Sequence, residues 1–176
     1  MSEIQIIDNF LTKCELAEAR EIIENTEWVY ANHSGSAQDL DPDRTKDTIF
    51  WYAFLKEHHV FHTKIFNKIK DTFKKNFKLL AIHTNGQTYG LDGDFHQDDQ
   101  DDRPYTCLIY FSDITHKNIN EVGGHTLVKT QNGTVCIEPF LNRLVIFKSN
   151  MYHKGLAPSK ESKLLRISVA FKFIEC

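Results

Sequence analysis

Two hydrophobic periods divide the chain. Up to about residue 77, apolar side chains recur at helical spacing. Thr12 and Glu15 form a T-x-x-E capping box, in which hydroxyl and carboxylate satisfy backbone donors at the start of a helix. Leu16, Ala19, Ile22 and Ile23 then fall on one face, which predicts a helix from Thr12 to about Asn25 behind a short strand, Ile4–Ile7. A second helix is predicted from Lys56 to Asn76. There Phe61, Ile65, Ile69 and Phe73 recur every fourth residue, with Phe66 and Phe77 alongside. Lys64, Lys68, Lys70, Lys74 and Lys75 occupy its other face, which reads as a solvated helix face. Between the helices, Ala31 to Asp47 is polar and rich in Asp, Ser and Gly. It reads as a mobile loop leading into an aromatic strand, Thr48–Leu55.

From Leu79 onward the period is two. Strands are predicted at Leu79–Thr84, Tyr105–Phe111, His125–Lys129, Thr134–Glu138, Leu144–Phe147 and Leu164–Phe173. Turn signals at Asn85-Gly86, Gly123-Gly124, Asn132-Gly133 and Pro158-Ser159 separate them. Short strands after a helical start give an α+β class, mainly β, with helices packed on a β-sandwich or jelly roll. A doubly wound α/β fold is disfavoured, because helices and strands do not alternate and no Gly-rich phosphate loop follows a strand.

Composition narrows the picture. The 176 residues suit one domain, 1–176, and 41% of them are hydrophobic, too many for a disordered chain. No apolar run approaches the roughly 20 residues needed to cross a bilayer, and no signal peptide is visible behind Met1-Ser2-Glu3. Cys14, Cys107, Cys136 and Cys176 are too widely spaced to suggest a disulfide framework or a zinc Cys pair, so a cytoplasmic setting is expected. The net charge of −3 argues against a dedicated nucleic-acid binder.

Candidate chemistry gathers in the second half. In His96-Gln97-Asp98 two ligand types stand two apart, so on a strand both would point to one face. His153 follows just after the strand ending near Phe147. Two His and one carboxylate can form a facial triad that leaves three positions of an octahedral ferrous ion open, whereas zinc more often takes tetrahedral N/S ligands. An isolated H-x-D carries little weight, since nine His and 13 Asp give roughly 0.7 chance matches in a chain of this length. Order and context add weight: Arg166-Ile167-Ser168 opens the final apolar strand, where an arginine is costly to bury without a carboxylate to pair bidentately. The plainer alternative is an Arg that snorkels to the rim or pairs with a protein Asp.

With these pieces in place the sequence resembles the iron(II)- and 2-oxoglutarate-dependent dioxygenases of the prolyl 4-hydroxylase type. The resemblance is carried by Asn85-Gly86, His96-Gln97-Asp98, Arg103 to Ser112, Gly123-Gly124-His125-Thr126, and Ile137 to His153 followed by Arg166-Ile167-Ser168. Ile137-Glu138-Pro139 to Phe147 is close to the equivalent strand pair of the hypoxia-inducible-factor prolyl hydroxylases, and the N-terminal Ile6-Ile7-Asp8-Asn9-Phe10-Leu11 resembles the family's opening.

The resemblance implies a double-stranded β-helix (jelly roll) with N-terminal helices packed against it. It implies that His96, Asp98 and His153 bind Fe(2+), that Arg166 holds the distal carboxylate of 2-oxoglutarate, and that Tyr110 donates its phenol to that carboxylate. Lys163 is the fallback anchor, and Asn85, Gln87 and Tyr89 are loose candidates for contacting the co-substrate. Dioxygen is the second co-substrate and ascorbate an accessory cofactor. The implied reaction is hydroxylation with release of succinate and carbon dioxide, on a proline-containing peptide or protein. The same chemistry on a nucleic acid, a free amino acid or another small molecule stays open, as does a non-catalytic jelly-roll binding module.

Other residues carry less. Asp92, Asp94, Asp99, Asp101 and Asp102 read as a solvated rim, since no calcium-loop spacing is present. His125 is a candidate for facing the substrate. Phe50, Trp51 and Tyr52 suit either a substrate groove or an ordinary core strand. Cys107 reads as a small buried hydrophobe.

Overall fold

A computed structural model describes residues 3–33 and 49–176. Its first elements are β1 (Ile4–Ile7), α1 (Lys13–Asn25), β2 (Trp28–His33) and β3 (Ile49–Ala53). A π-helical turn, Val60–Ile65, then runs into α2 (Phe66–Phe73). After these come β4 (Phe77–Gln87), β5 (Pro104–Tyr110), the four-residue α3 (Ile119–Val122), β6 (Thr126–Thr130), β7 (Gly133–Ile137), β8 (Leu144–Lys148), β9 (His153–Gly155) and β10 (Arg166–Glu175).

The strands form two antiparallel sheets. The larger has seven strands in the order β1-β8-β5-β10-β4-β3-β2, and the smaller has three in the order β7-β6-β9. This is the jelly roll expected from the sequence. The capping box at Thr12 and Glu15 is present and starts α1. The apolar stripes of α1, the π-turn and α2 bury Ala19, Ile23, Phe61, Ile65 and Ile69 against Ile109, Val169, Phe171 and Phe173 of the large sheet. The opposite face of that sheet packs Leu108, Tyr110, Val145, Phe147 and Ala170 against Val128 and Ile137, so both faces are covered. That double burial is why β5 and β8 read as nearly unbroken apolar runs.

Several expectations need correction. The second helix begins at Val60 rather than Lys56 and ends at Phe73, where Lys74 adopts φ 52° as its cap. Asn85-Gly86 is not a turn, because β4 continues through it to Gln87. A Cβ on Gly86 would lie 2.8 Å from the Trp28 ring and 3.1 Å from Trp51 Cβ, so this glycine makes room for indoles rather than for a bend. Residues 31–33 end β2 instead of opening a loop; the rest of the predicted 31–47 loop lies outside the described residues.

Candidate active site

β9 and the segment before β5 bring the three predicted ligands together. His96 and His153 exchange backbone hydrogen bonds (N to O 3.1 and 2.9 Å), and Asp98 N donates to Ser149 O at 2.9 Å, so residues 93–98 run antiparallel to 149–155. His96-Gln97-Asp98 is therefore held by a single β-bridge rather than within a strand. The two-residue alternation persists. Gln97 turns away to donate to Asn150 O, while His96 and Asp98 share a face. Ligand atoms of His96, Asp98 and His153 all lie within 4.8 Å of one another, and this is the one such group among the described residues.

The donor chemistry suits a divalent ion. His96 Nδ1 stands 2.9 Å from Asp94 O, and His153 Nδ1 2.9 Å from Met151 O. A carbonyl only accepts, so each Nδ1 carries a proton and each Nε2 is the ring atom left to ligate. Those Nε2 atoms lie 3.7 Å from Asp98 Oδ1 (His96) and 3.5 Å from Oδ2 (His153). Burial depresses the His153 pKa to about 4 against the pull of Asp98, which keeps the imidazole in its neutral, ligating form. Burial works to raise the Asp98 pKa, but His153, Lys172 and His96 outweigh it and hold the carboxyl well below the ordinary range. Thr106 donates to Asp98 Oδ2 at 2.6 Å and Lys172 to Oδ1 at 2.7 Å. Two imidazoles and one ionised carboxylate, with no thiolate among them, fit ferrous iron better than structural zinc.

Arg166 opens β10 and is 2% exposed. Its Nε donates to Gly124 O at 2.5 Å, Nη1 to Gln87 Oε1 at 2.7 Å and Nη2 to Thr126 Oγ1 at 2.7 Å. Among the described residues no carboxylate pairs with it, and burial lowers its pKa. A guanidinium left unneutralised in the interior is costly unless an anion joins it. It lines one cavity with His96, His153, Asn85, Gln87 and Thr126. Two glycines admit it: a Cβ on Gly124 (φ 79°) would lie 3.1 Å from Arg166 Cδ, and one on Gly155 3.2 Å from Nη1 and 2.9 Å from Gln87 Oε1.

The remaining candidates separate. Tyr110 is fully buried but does not line the cavity; its phenol donates to Thr126 Oγ1 at 2.7 Å. Thr126 Oγ1 therefore accepts from both Tyr110 and Arg166, and its own proton is free to point into the cavity. Sequence reasoning quoted Thr126 only as part of a motif and missed this link. Lys163 is exposed on the connection before β10 and away from the cavity, so the fallback anchor is set aside. Of the loose candidates Asn85 and Gln87 line the cavity, whereas Tyr89 is 65% exposed and does not. Phe50 reaches the cavity wall; Trp51 instead packs on Tyr30 and Tyr52 on Phe54. His125 lies outside the lining. Asp92 accepts from Ala157 N, and Asp101 pairs with Arg103, as a surface rim would. Burial pushes the Cys107 thiol pKa far up, so it is no nucleophile.

Jelly-roll architecture, a two-histidine, one-carboxylate cradle and a buried cation on one cavity define the class of non-haem iron oxygenases that take an oxo-diacid as co-substrate. Residues 77–173, more than half of the chain, match the model of the 2OG-Fe(II) oxygenase superfamily, and the chain belongs to that family. It is a 2-oxoglutarate-dependent dioxygenase, and the family's cofactor set is Fe(2+), 2-oxoglutarate and dioxygen.

No curated protein matches the sequence. Among solved structures, it is similar to a Trichoplax adhaerens prolyl hydroxylase in complex with a hypoxia inducible factor oxygen degradation domain peptide fragment. That match has TM-score 0.68 and 18% identity, covering 99% of this chain and 84% of the other. A Pseudomonas putida prolyl-4-hydroxylase matches with TM-score 0.58 and 16% identity over 99% and 93% of the two chains. HygX from Streptomyces hygroscopicus, with nickel, 2-oxoglutarate and hygromycin B bound, matches with TM-score 0.66 and 12% identity over 98% and 82%. These likenesses establish the shared fold.

Proposed function

We propose that the chain is a prolyl 4-hydroxylase acting on a peptide or protein, with residues 1–176 forming one oxygenase domain. In this reading His96, Asp98 and His153 hold Fe(2+), and Arg166, supported by Gln87 and Thr126, receives the distal carboxylate of 2-oxoglutarate. The observation that carries the chemistry is the buried Arg166 guanidinium, unpaired with any carboxylate among the described residues and sharing a cavity with the two imidazoles. An ionised diacid supplies the missing countercharge. The metal supplies oxygen activation; the protein's part is to fix ligand geometry, orient the co-substrate and exclude water. Tyr110 acts one atom removed, by fixing the Thr126 hydroxyl.

The peptide substrate is supported by the similarity to prolyl hydroxylases, one of them in complex with a peptide fragment. A small-molecule substrate is the second reading, favoured by the similarity to HygX with hygromycin B bound. Incubating the protein with Fe(2+), 2-oxoglutarate, ascorbate and proline-containing peptides tests both. Succinate release stimulated by such a peptide, with a gain of one oxygen on proline by mass spectrometry, is expected. Co-substrate turnover that no proline peptide stimulates but a small molecule does would replace the first reading with the second.

A further inference from the structure

β10 presents alternate residues to the interior of the barrel: Arg166, Ser168, Ala170 and then Lys172. The strand thus carries a cation near each end of one face. The second is not accounted for by co-substrate binding. Lys172 Nζ lies 2.7 Å from Asp98 Oδ1, with the lysine side chain 25% and the aspartate 9% exposed. Lys172 stands in register opposite Thr106 on β5, whose hydroxyl donates to the other oxygen, Oδ2, at 2.6 Å. Ser149 Oγ lies 3.0 Å from Thr106 Oγ1, and because the Thr106 proton goes to Asp98, Ser149 is the donor there. Each carboxylate oxygen is therefore held from the sheet by a different partner.

A carboxylate near a divalent ion can bind through one oxygen or chelate through both. Two imidazoles and one carboxylate oxygen fill three of six octahedral positions and leave three. On a bound iron, a keto acid held through two oxygens would take two of these, and dioxygen would need the last. A chelating Asp98 would fill that last position. The two holders are not equivalent in this respect. A carboxylate oxygen can accept one hydroxyl hydrogen bond and still offer a lone pair, so Thr106 leaves Oδ2 able to ligate. An ammonium at 2.7 Å opposes a second cation on Oδ1 directly, charge against charge.

From this geometry we infer that Lys172 is a positioning residue that keeps Asp98 a one-oxygen ligand, and so preserves the coordination position dioxygen requires. The inference rests on the metal reading of His96, Asp98 and His153, and the test separates the two.

Nitric oxide serves as the dioxygen surrogate. Its binding to the anaerobic Fe(II) protein is followed by electron paramagnetic resonance, with and without 2-oxoglutarate. The unaltered protein is expected to bind it in both states. K172M keeps the apolar stem and removes the charge; it is expected to bind nitric oxide normally without 2-oxoglutarate but at least tenfold more weakly with it. K172R, which keeps a cationic donor, is expected to restore binding in the ternary state. If K172M does not fold, K172Q, uncharged and one atom shorter, takes its place with the same expectation. A merely structural role would weaken both states alike. K172M binding nitric oxide as the unaltered protein does in the presence of 2-oxoglutarate overturns the inference while leaving the metal reading intact. Failure of K172R to restore binding also overturns it. Failure of the unaltered protein to bind Fe(II) overturns both.

Discussion

The two ends of the cavity are built on different principles. Arg166 begins a ten-residue strand paired on both sides, with β4 and β5, and its guanidinium is fixed by Gly124 O, Gln87 and Thr126. His96 and Asp98 come instead from a segment attached by one β-bridge, and His153 from a strand of three residues. The difference follows the chemistry. A co-substrate consumed at every turnover must find its site ready, because ordering a loop each time would subtract from its affinity. A resident ion can cross-link the segments it binds, so its site tolerates looser backbone support. On the proposed assignment of Arg166 to 2-oxoglutarate and of His96, Asp98 and His153 to iron, the sheet pre-organises the exchanging ligand, and short side chain to backbone hydrogen bonds suffice for the staying one.

The comparison breaks most visibly at Asp98. D98A removes the only charged ligand of the cluster. It is expected to lower Fe(2+) or Mn(2+) affinity by more than the roughly 10–100-fold typical of outer-shell partners. Calorimetric titration measures this. The metal-free melting temperature should stay near that of the unaltered protein, since the released Lys172 is already partly solvated, while the rise in melting temperature on adding metal should vanish. A variant that still binds metal would take Asp98 out of the cluster.

Arg166 is next in size and leaves the metal end alone. On the proposed assignment, R166A removes the charge-assisted hydrogen bonds to the co-substrate carboxylate, each worth about 1.5–3 kcal/mol. The 2-oxoglutarate concentration needed for half-maximal turnover should therefore rise on the order of a hundredfold, with Mn(2+) affinity unchanged. K163A, at an exposed position outside the cavity, should match the unaltered protein in both measurements. If the two variants exchanged these behaviours, the anchor would be Lys163.

The sequence already carried most of this arrangement, and the omissions have physical causes. β5, β8 and β10 were legible because strands covered on both faces leave apolar runs, and α1 because its cap and stripe are local signals. His96, Asp98, His153 and Arg166 were legible through residue type, order and family resemblance together. Features that depend on distant partners were not legible. Gly86 mimics a turn signal because the indoles that require it sit on β2 and β3. β9 is too short to show a period. Lys172 reads as a lysine near a strand end, and only the register of β10 against β5 turns it towards Asp98. The second helix was extended back to Lys56 because the segment before Val60 is a hydrogen-bonded turn, His58 N to Leu55 O, with no apolar period of its own to mark the boundary.

Thr126 sharpens the comparison at the smallest scale, because one hydroxyl connects the anchor to the core. It accepts from Arg166 Nη2 and from Tyr110 Oη, both at 2.7 Å, and all three residues are buried. T126V preserves the shape and removes the acceptor, leaving a buried phenol and one guanidinium N–H without a partner. An unsatisfied buried polar group costs about 1–3 kcal/mol, so chemical denaturation should show a loss of that order. The 2-oxoglutarate requirement should rise only several-fold, because Gly124 O and Gln87 still hold the guanidinium. Y110F should cost less than T126V in both measurements, since it removes the donor together with its need for an acceptor. Combining Y110F with T126V should then recover part of the stability lost in T126V alone, because the stranded phenol is gone. Full additivity of the two changes would mean that Tyr110 does not act through the Thr126 hydroxyl.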